Sequence, residues 1–514
     1  MNVVSPATPP GPLGAMLQAA AAAWQRKDFQ QSIDILKRAR AMAPTDPQLL
    51  LQLGFCHGAC YDFELAGKAF DNAVRIAIQK TNVFLTAGML CIKFGRYDMA
   101  EPYFEQALKQ DGGSAEAAVR LAEIRERQNR AAEAIHLAKR ALELTPGYAP
   151  ALLVRARLHR QAGEFAEAEK ILFTLETMSI RSPWLVGQIR YETGIVLDRQ
   201  GRFDEAMAAV LKAKASAKST PDQKAARESV LRNFKRTAET FSPDLARRWH
   251  GRTFTPQHRL APLCGFPRSG TTLLEQVLDA HPDIVSLEEI NIFHEEALLP
   301  LGSGHPPETH FLSFLDSASP ERLQQSRADY FRMVERFIGQ PINGRLLVDK
   351  NPPLLAIVPA IACLFPEARF LVSLRDPRDV CLSCFLDPLL STSTARANFE
   401  TLDNTVTDYI SMMGLWLAIK PHVINPFLEV RYEDLVDNLE GVARRSLEFL
   451  GVPWDGRVLE FQKQGENKLV RSPTYADVRK PVTRRSVGRW RNYQKYFEPY
   501  LEKLEPFIRA FGYE

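Results

Sequence analysis

The sequence predicts two fold classes in series: an all-α solenoid of repeated helix pairs, then an α/β domain built on a parallel sheet. Three observations predict it. Aromatic and small residues return at a 34-residue period through the first part of the 514-residue chain. From residue 258 onward, short apolar runs alternate with helix-patterned segments, as in strands separated by helices. One of those runs, Leu260–Cys264, enters the small-residue loop GFPRSGTT, which opens directly into a helical pattern over Thr272–Ala280.

The first element is the N-terminal stretch MNVVSPATPPGPLG, which has neither a basic nor a hydrophobic region of a secretion signal; residues 1–14 are expected to be a disordered arm. Residues 15–217 then carry the repeats. Phe29, Phe63, Tyr97, Ala131 and Phe165 keep the 34-residue period, and Phe203 follows after a longer step. Three residues beyond each stands a small side chain: Ser32, Ala66, Ala100, Ala134, Ala168 and Ala206. Ten beyond the first four come Ala39, Ala73, Ala107 and Ala141. This is the signature of tetratricopeptide helix pairs, in which small residues let two helices approach while an aromatic plugs the gap between them. A single pair cannot bury its own face, so about six of them stack into a solenoid with a concave surface. Such a surface suits a protein or peptide partner. Residues 218–257, charged and helix-patterned, are expected to cap the array and lead into the second domain, residues 258–514.

In that domain Leu260–Cys264, Arg345–Val348, Phe370–Leu374 and Phe427–Arg431 read as strands. Helices are expected at Thr272–Ala280, Leu354–Leu364, Arg378–Phe385, Asp408–Ile419 and Val436–Leu450. Ligands of such sheets bind beyond the carboxyl ends of the strands. Each polar motif of the domain falls at such an end.

Composition narrows the function. Apolar residues at 45% and charged residues at 25% are ordinary for a globular protein. A formal net charge of +4 is too small for this length to imply general nucleic-acid binding. No apolar run reaches the span of a membrane helix; the longest, Leu354–Phe365, is interrupted by Pro359. Seven scattered cysteines argue for reduced thiols and a cytoplasmic location, and Cys381 and Cys384 read as two buried helical thiols rather than a redox pair or half a zinc site. No histidine spacing suggests a metal.

The loop itself carries chemistry. A buried strand, a small-residue turn and a helix N-terminus make an anion site, because the first N–H groups of the helix and its positive dipole end face the ligand. Gly265 and Gly270 have the G-x-x-x-x-G spacing of a nucleotide P-loop, but Thr271 and Thr272 follow where a nucleoside-triphosphatase has Lys and then Ser or Thr. The positive charge sits inside the loop, as Arg268. The expected ligand is an anion other than a magnesium-bound triphosphate.

PRSGTT, a helix, AHPD and the pair Glu288–Glu289 together resemble the 5′-phosphosulfate loop of sulfotransferases that use 3′-phosphoadenosine 5′-phosphosulfate, and most closely the protein-tyrosine sulfotransferase branch. The resemblance covers residues 258 to about 510. It implies that Arg268, Ser269, Gly270, Thr271 and Thr272 hold the 5′-phosphosulfate, with Arg268 also acting on the transferred group. It implies that Glu289 is the general base, with Glu288 in reserve, and that Lys350, in VDKNPP, contacts the sulfuryl group. It implies that Arg375 and Ser383, in LRDPRDVCLSC, share the 3′-phosphate, and that Tyr432 lies near the nucleotide. Arg378 and Asp379 read instead as helix-cap and surface charges. The segment from Lys468 to Lys495 holds nine Lys or Arg residues against Asp477 alone; it resembles the family's C-terminal lid, with Ser472 and Arg489 at matching places. Arg489 stands where the family has Lys. Asn291 stands where the tyrosine enzymes carry an Arg beside the acceptor, and the chain also lacks their membrane anchor and cysteine pairs. It is similar to a cytosolic, repeat-fused bacterial type of the family.

The expected fold is therefore a tetratricopeptide solenoid followed by a P-loop-like three-layer α/β domain. The expected function is metal-independent sulfuryl transfer from the adenosine donor to a hydroxyl of protein tyrosine, a sugar or a small molecule. Two other readings stay open: a P-loop phosphotransferase, for which Asp349 is the one strand-end acid to hold magnesium, and a repeat scaffold carrying a retired enzyme fold.

Overall fold

The 34-residue period becomes six helix pairs, from Pro12–Gln25 with Phe29–Met42 to Pro183–Arg199 with Phe203–Ala215. The computed structural model describes residues 11–514 apart from 27, 111–112, 217, 256, 307, 388–392 and 465–480. The periodic residue opens the second helix of every pair: Phe29, Phe63, Tyr97, Ala131, Phe165 and Phe203 are each its first position. One turn later the small residues Ala66, Ala100, Ala134, Ala168 and Ala206 are fully buried, which is where a larger side chain would push the pair apart. Asp28 and Asp62 cap two of these helices by accepting from the amides of Gln31 and Leu65. The array begins at Pro12, and the expected arm otherwise lies outside the described residues.

Two compact units make up the chain, residues 1–158 and 159–514. The second contains the last helix pair, two connecting helices (Pro221–Thr240 and Pro243–His250) and the sheet domain. Among the described residues its sheet has five parallel strands: β1 (Leu260–Gly265), β2 (Ile284–Glu288), β3 (Leu346–Lys350), β4 (Phe370–Leu374) and β5 (Phe427–Arg431). They lie in the order β2-β3-β1-β4-β5, so β1, the strand that feeds the loop, is central. Every residue of β1, β3 and β4 is buried, as an interior parallel strand requires. One face of the sheet packs Leu263, Val348, Leu371 and Val430 against Leu274 and Val277 of the helix Thr271–Asp279 and Leu447 of the helix Leu439–Leu450.

Two expected elements differ in detail, and one strand is additional. The segment 354–364 is a 3-10 turn, Pro352–Ile357, running into a short helix, Val358–Leu364, because its prolines suit first turns and not helix interiors. Val436–Leu450 is two helices, broken where the Asn438 side chain turns back to accept from the Gly441 amide and so caps the second. Strand β2 was not expected at all.

Candidate active site

All five strands point their carboxyl ends to one edge of the domain, and the polar side chains named from the sequence converge there. The loop after β1 turns through two left-handed residues, Arg268 (φ 71°) and Gly270 (φ 96°), and the helix starts at Thr271. Gly270 is required on two counts. An L side chain resists that φ, and a Cβ there would meet Tyr432 Cδ2 at 2.6 Å, because the Tyr432 ring at the end of β5 lies against the loop. Ser269 is buried and its hydroxyl donates to Phe266 O at 2.7 Å, fixing the turn. The N-cap, Gly270, has no side chain to cap the helix, whose N-terminus faces the loop.

Arg268 is the hub of one side of the site. Its Nε donates to Ser383 Oγ at 3.1 Å, and its guanidinium pairs with Asp387 at 3.2 Å. Arg375, just past β4, donates to the Arg268 carbonyl at 3.0 Å and lies over the Tyr432 ring, 4.8 Å from its centroid. The structure thus brings Arg268, Arg375, Ser383 and Tyr432 together.

On the other side stands Lys350, the last residue of β3 and fully buried. Its Nζ donates to Glu289 Oε1 at 2.7 Å and to Glu288 Oε1 and Thr272 Oγ1 at 3.3 Å each. Burial alone would push this amine down, but the carboxylates of Glu288, Glu289 and Glu275 outweigh it and hold its pKa above the ordinary lysine value. Lys350 is therefore charged at neutral pH. Glu289 follows β2 with φ 52°, a strained value for a non-glycine residue, which turns its side chain back across the strand ends. The two acids differ in access: the Glu289 side chain is 34% exposed and that of Glu288 only 6%.

Alternation along β3 sends Asp349 to the opposite face of the sheet from Lys350. Its Oδ2 accepts from the Tyr330 hydroxyl at 2.7 Å while its Oδ1 has no partner, and burial raises its pKa to about 7 despite the Tyr330 bond. Asn351 donates from Nδ2 to Asn291 Oδ1 at 3.0 Å, which ties Asn291 to the end of β3.

Arg378 and Asp379 correct the sequence reading: both are buried, and neither is a surface charge. Asp376, not Arg378, caps the helix Pro377–Leu386, accepting from the Arg378 amide. Asp379 accepts from the amides of Gly488 at 2.6 Å and Trp490 at 2.8 Å, and the Arg378 guanidinium lies 4.2 Å from the Trp490 ring centroid. These two residues hold down a C-terminal strap, residues 484–493. Arg375 Nη2 also donates to Ser486 O in that strap at 2.5 Å. Arg489 pairs with Asp198 at 2.8 Å. Ser472 lies outside the described residues. The burial of Cys381 and Cys384 agrees with the expected helical thiols.

Fold and site define the class: a P-loop-like α/β domain joined to a tetratricopeptide array. Residues 263–456 match the model of the sulfotransferase family, and residues 85–149, 153–221 and 127–176 match tetratricopeptide-repeat models. The chain carries a sulfotransferase-family domain behind tetratricopeptide repeats. A protein from Aquifex aeolicus described as uncharacterized is 28% identical over 66% of this chain and 45% of its own length. Protein-tyrosine sulfotransferase A of Caenorhabditis elegans is 26% identical over 49% of this chain and 66% of its own. The chain spans less than two-thirds of the length of either relative. The solved sulfotransferase domain from the curacin biosynthetic pathway aligns over 51% of this chain and 99% of its own, at 18% identity and a TM-score of 0.32. Among the described residues, no helix is long and apolar enough to cross a membrane.

Proposed function

We propose that this chain transfers a sulfuryl group from 3′-phosphoadenosine 5′-phosphosulfate to a hydroxyl acceptor. The observation that carries this reading is Lys350: a buried, charged amine between Thr272 of the loop helix and the exposed carboxylate of Glu289. In-line transfer needs a base on the acceptor side and a cation on the leaving side; this lysine is such a cation and touches the candidate base.

In this reading the loop amides, Ser269, Thr271, Thr272 and Arg268 take the 5′-phosphosulfate, while Arg375 and Ser383 take the 3′-phosphate. Glu289 removes the acceptor proton as the new oxygen–sulfur bond forms. The bond from sulfur to the bridging phosphate oxygen breaks, and Lys350 neutralises the charge left on that oxygen. The products are the sulfate ester and 3′,5′-adenosine bisphosphate. Glu289 rather than Glu288 serves as base because an acceptor reaches only the exposed carboxylate.

The tyrosine sulfotransferases among the relatives favour a protein hydroxyl as acceptor, and the repeats supply a surface for the protein that bears it. Asn291, where those enzymes have Arg, keeps tyrosine itself the least supported part. A cytoplasmic location belongs to the same proposal, on seven cysteines that carry no disulfide. The phosphotransferase reading is disfavoured by Asp349, whose carboxylate lies under Tyr330 and not at the loop.

Calorimetry with 3′,5′-adenosine bisphosphate, with and without magnesium and with ATP as control, tests the proposal. Metal-independent binding at least about tenfold tighter than ATP is expected. Preference for ATP with magnesium would transfer the protein to the phosphotransferases.

A further inference from the structure

The strap 484–493 is fastened from two sides. On the sheet side, Asp379 takes the Gly488 and Trp490 amides, and Arg375 donates to Ser486 O. On the other side the partner is a repeat helix. Asp198, near the end of Pro183–Arg199, accepts from the Tyr493 hydroxyl at 2.7 Å and pairs with Arg489 at 2.8 Å. Its side chain is only 9% exposed, so the carboxylate is largely shielded from water. Phe203, the periodic residue that opens the last repeat helix, meets the Tyr493 ring edge-on, with centroids 5.4 Å apart. Asp204 adds Lys495 at 2.7 Å and the Tyr496 hydroxyl at 3.2 Å.

Arg375 links this strap to the loop, since one guanidinium donates both to Ser486 O and to the Arg268 carbonyl. The chain of contacts runs from Asp198 through Arg489 and Tyr493 to the strap, and from the strap to the two arginines of the candidate site. A repeat helix that only displayed a docking surface would have no need of a buried carboxylate directed at the strap.

We propose that Asp198 is a positioning residue for the donor site, so that the last tetratricopeptide pair completes the sheet domain instead of merely preceding it. Asp198 fixes Arg489 and Tyr493, which hold Ser486 against Arg375. The assignment rests on the donor reading above. It concerns positioning alone, as Asp198 touches no reacting group.

The test compares the full-length protein with Asp198→Asn and Asp198→Glu. Three quantities are measured: affinity for 3′,5′-adenosine bisphosphate, the split between donor KM and kcat, and amide hydrogen exchange across residues 484–493 without ligand. Asp198→Asn is expected to speed exchange in the strap and to raise donor KM and bisphosphate Kd roughly tenfold, with kcat at saturating donor within about twofold. Asp198→Glu is expected to recover part of the affinity. Unchanged exchange, or affinity equal to or tighter than wild type, overturns the proposal. Wild-type protein that binds no bisphosphate overturns the donor reading instead, and the exchange data still decide whether Asp198 holds the strap. Should Asp198→Asn fail to fold, Tyr493→Phe removes only the hydroxyl that reaches Asp198 and carries the same measurements.

Discussion

Glu289 and Lys350 are joined twice: the lysine Nζ donates to Glu289 Oε1 at 2.7 Å, and the Glu289 amide donates to the Lys350 carbonyl at 2.8 Å. The backbone bond sets the side-chain bond, because it carries the end of β2 across the end of β3 and accounts for the left-handed Glu289. Carboxylate and ammonium are therefore one preformed unit, and in the proposed transfer an acceptor hydroxyl has to compete with Lys350 for the carboxylate.

Glu289→Gln keeps an oxygen for Lys350 and removes the proposed base. A kcat loss of about 10²- to 10⁴-fold is expected, with bisphosphate affinity unchanged by calorimetry. Full turnover in the variant would pass the role to Glu288.

Lys350→Met leaves the buried Glu288 without its cation. Removing one partner of a buried pair costs about 3–5 kcal/mol, so denaturant melts should show a large loss at pH 8. A variant as stable as wild type would show the pair to be unimportant for stability.

Asp349 gives a pH dependence. Its folded pKa, about 7, is above the usual carboxylate value, so folding favours the protonated form. That stability is fully present below pH 4 and is lost as pH rises through 7. Asp349→Asn keeps an acceptor for Tyr330 and has no charge to bury. Relative to wild type it should gain on the order of a few kcal/mol between pH 4 and 8, read from paired melts. Parallel stability curves would refute the assignment.

Gly270→Ala meets two obstacles, the φ of 96° and the Tyr432 ring. Bisphosphate binding should fall by an order of magnitude or more, since about 1–2 kcal/mol of backbone strain adds to a displaced loop. Adding Tyr432→Ala removes the clash and not the strain, so recovery should be partial; complete recovery would show that the glycine serves only to make room.

Much of this was legible in the residues. The period of Phe29, Phe63 and Tyr97 gave the helix pairs, and the Phe370–Leu374 and Phe427–Arg431 runs have the bounds of β4 and β5. The contacts that were missed had a common cause: the partner lay far along the chain. A charged Arg378–Asp379 pair beside a helix-opening proline is ordinarily solvated, and nothing near it announces that Gly488 and Trp490 will cover it. The tie of Asp198 to Arg489 was equally silent. Strand β2 was the avoidable miss, for the apolar Ile284, Val285 and Leu287 follow a His-Pro-Asp turn, the punctuation that bounds a short strand.

The central place of β1 also orders the birth of the molecule. Its two neighbours, β3 and β4, emerge from the ribosome long after it, so the sheet closes only by distant pairings that are slow to form. The helix pairs need only adjacent residues and can fold as they are made. When β5 finally arrives, the last repeat pair has long since left the ribosome, a surface against which the nascent sheet domain can assemble.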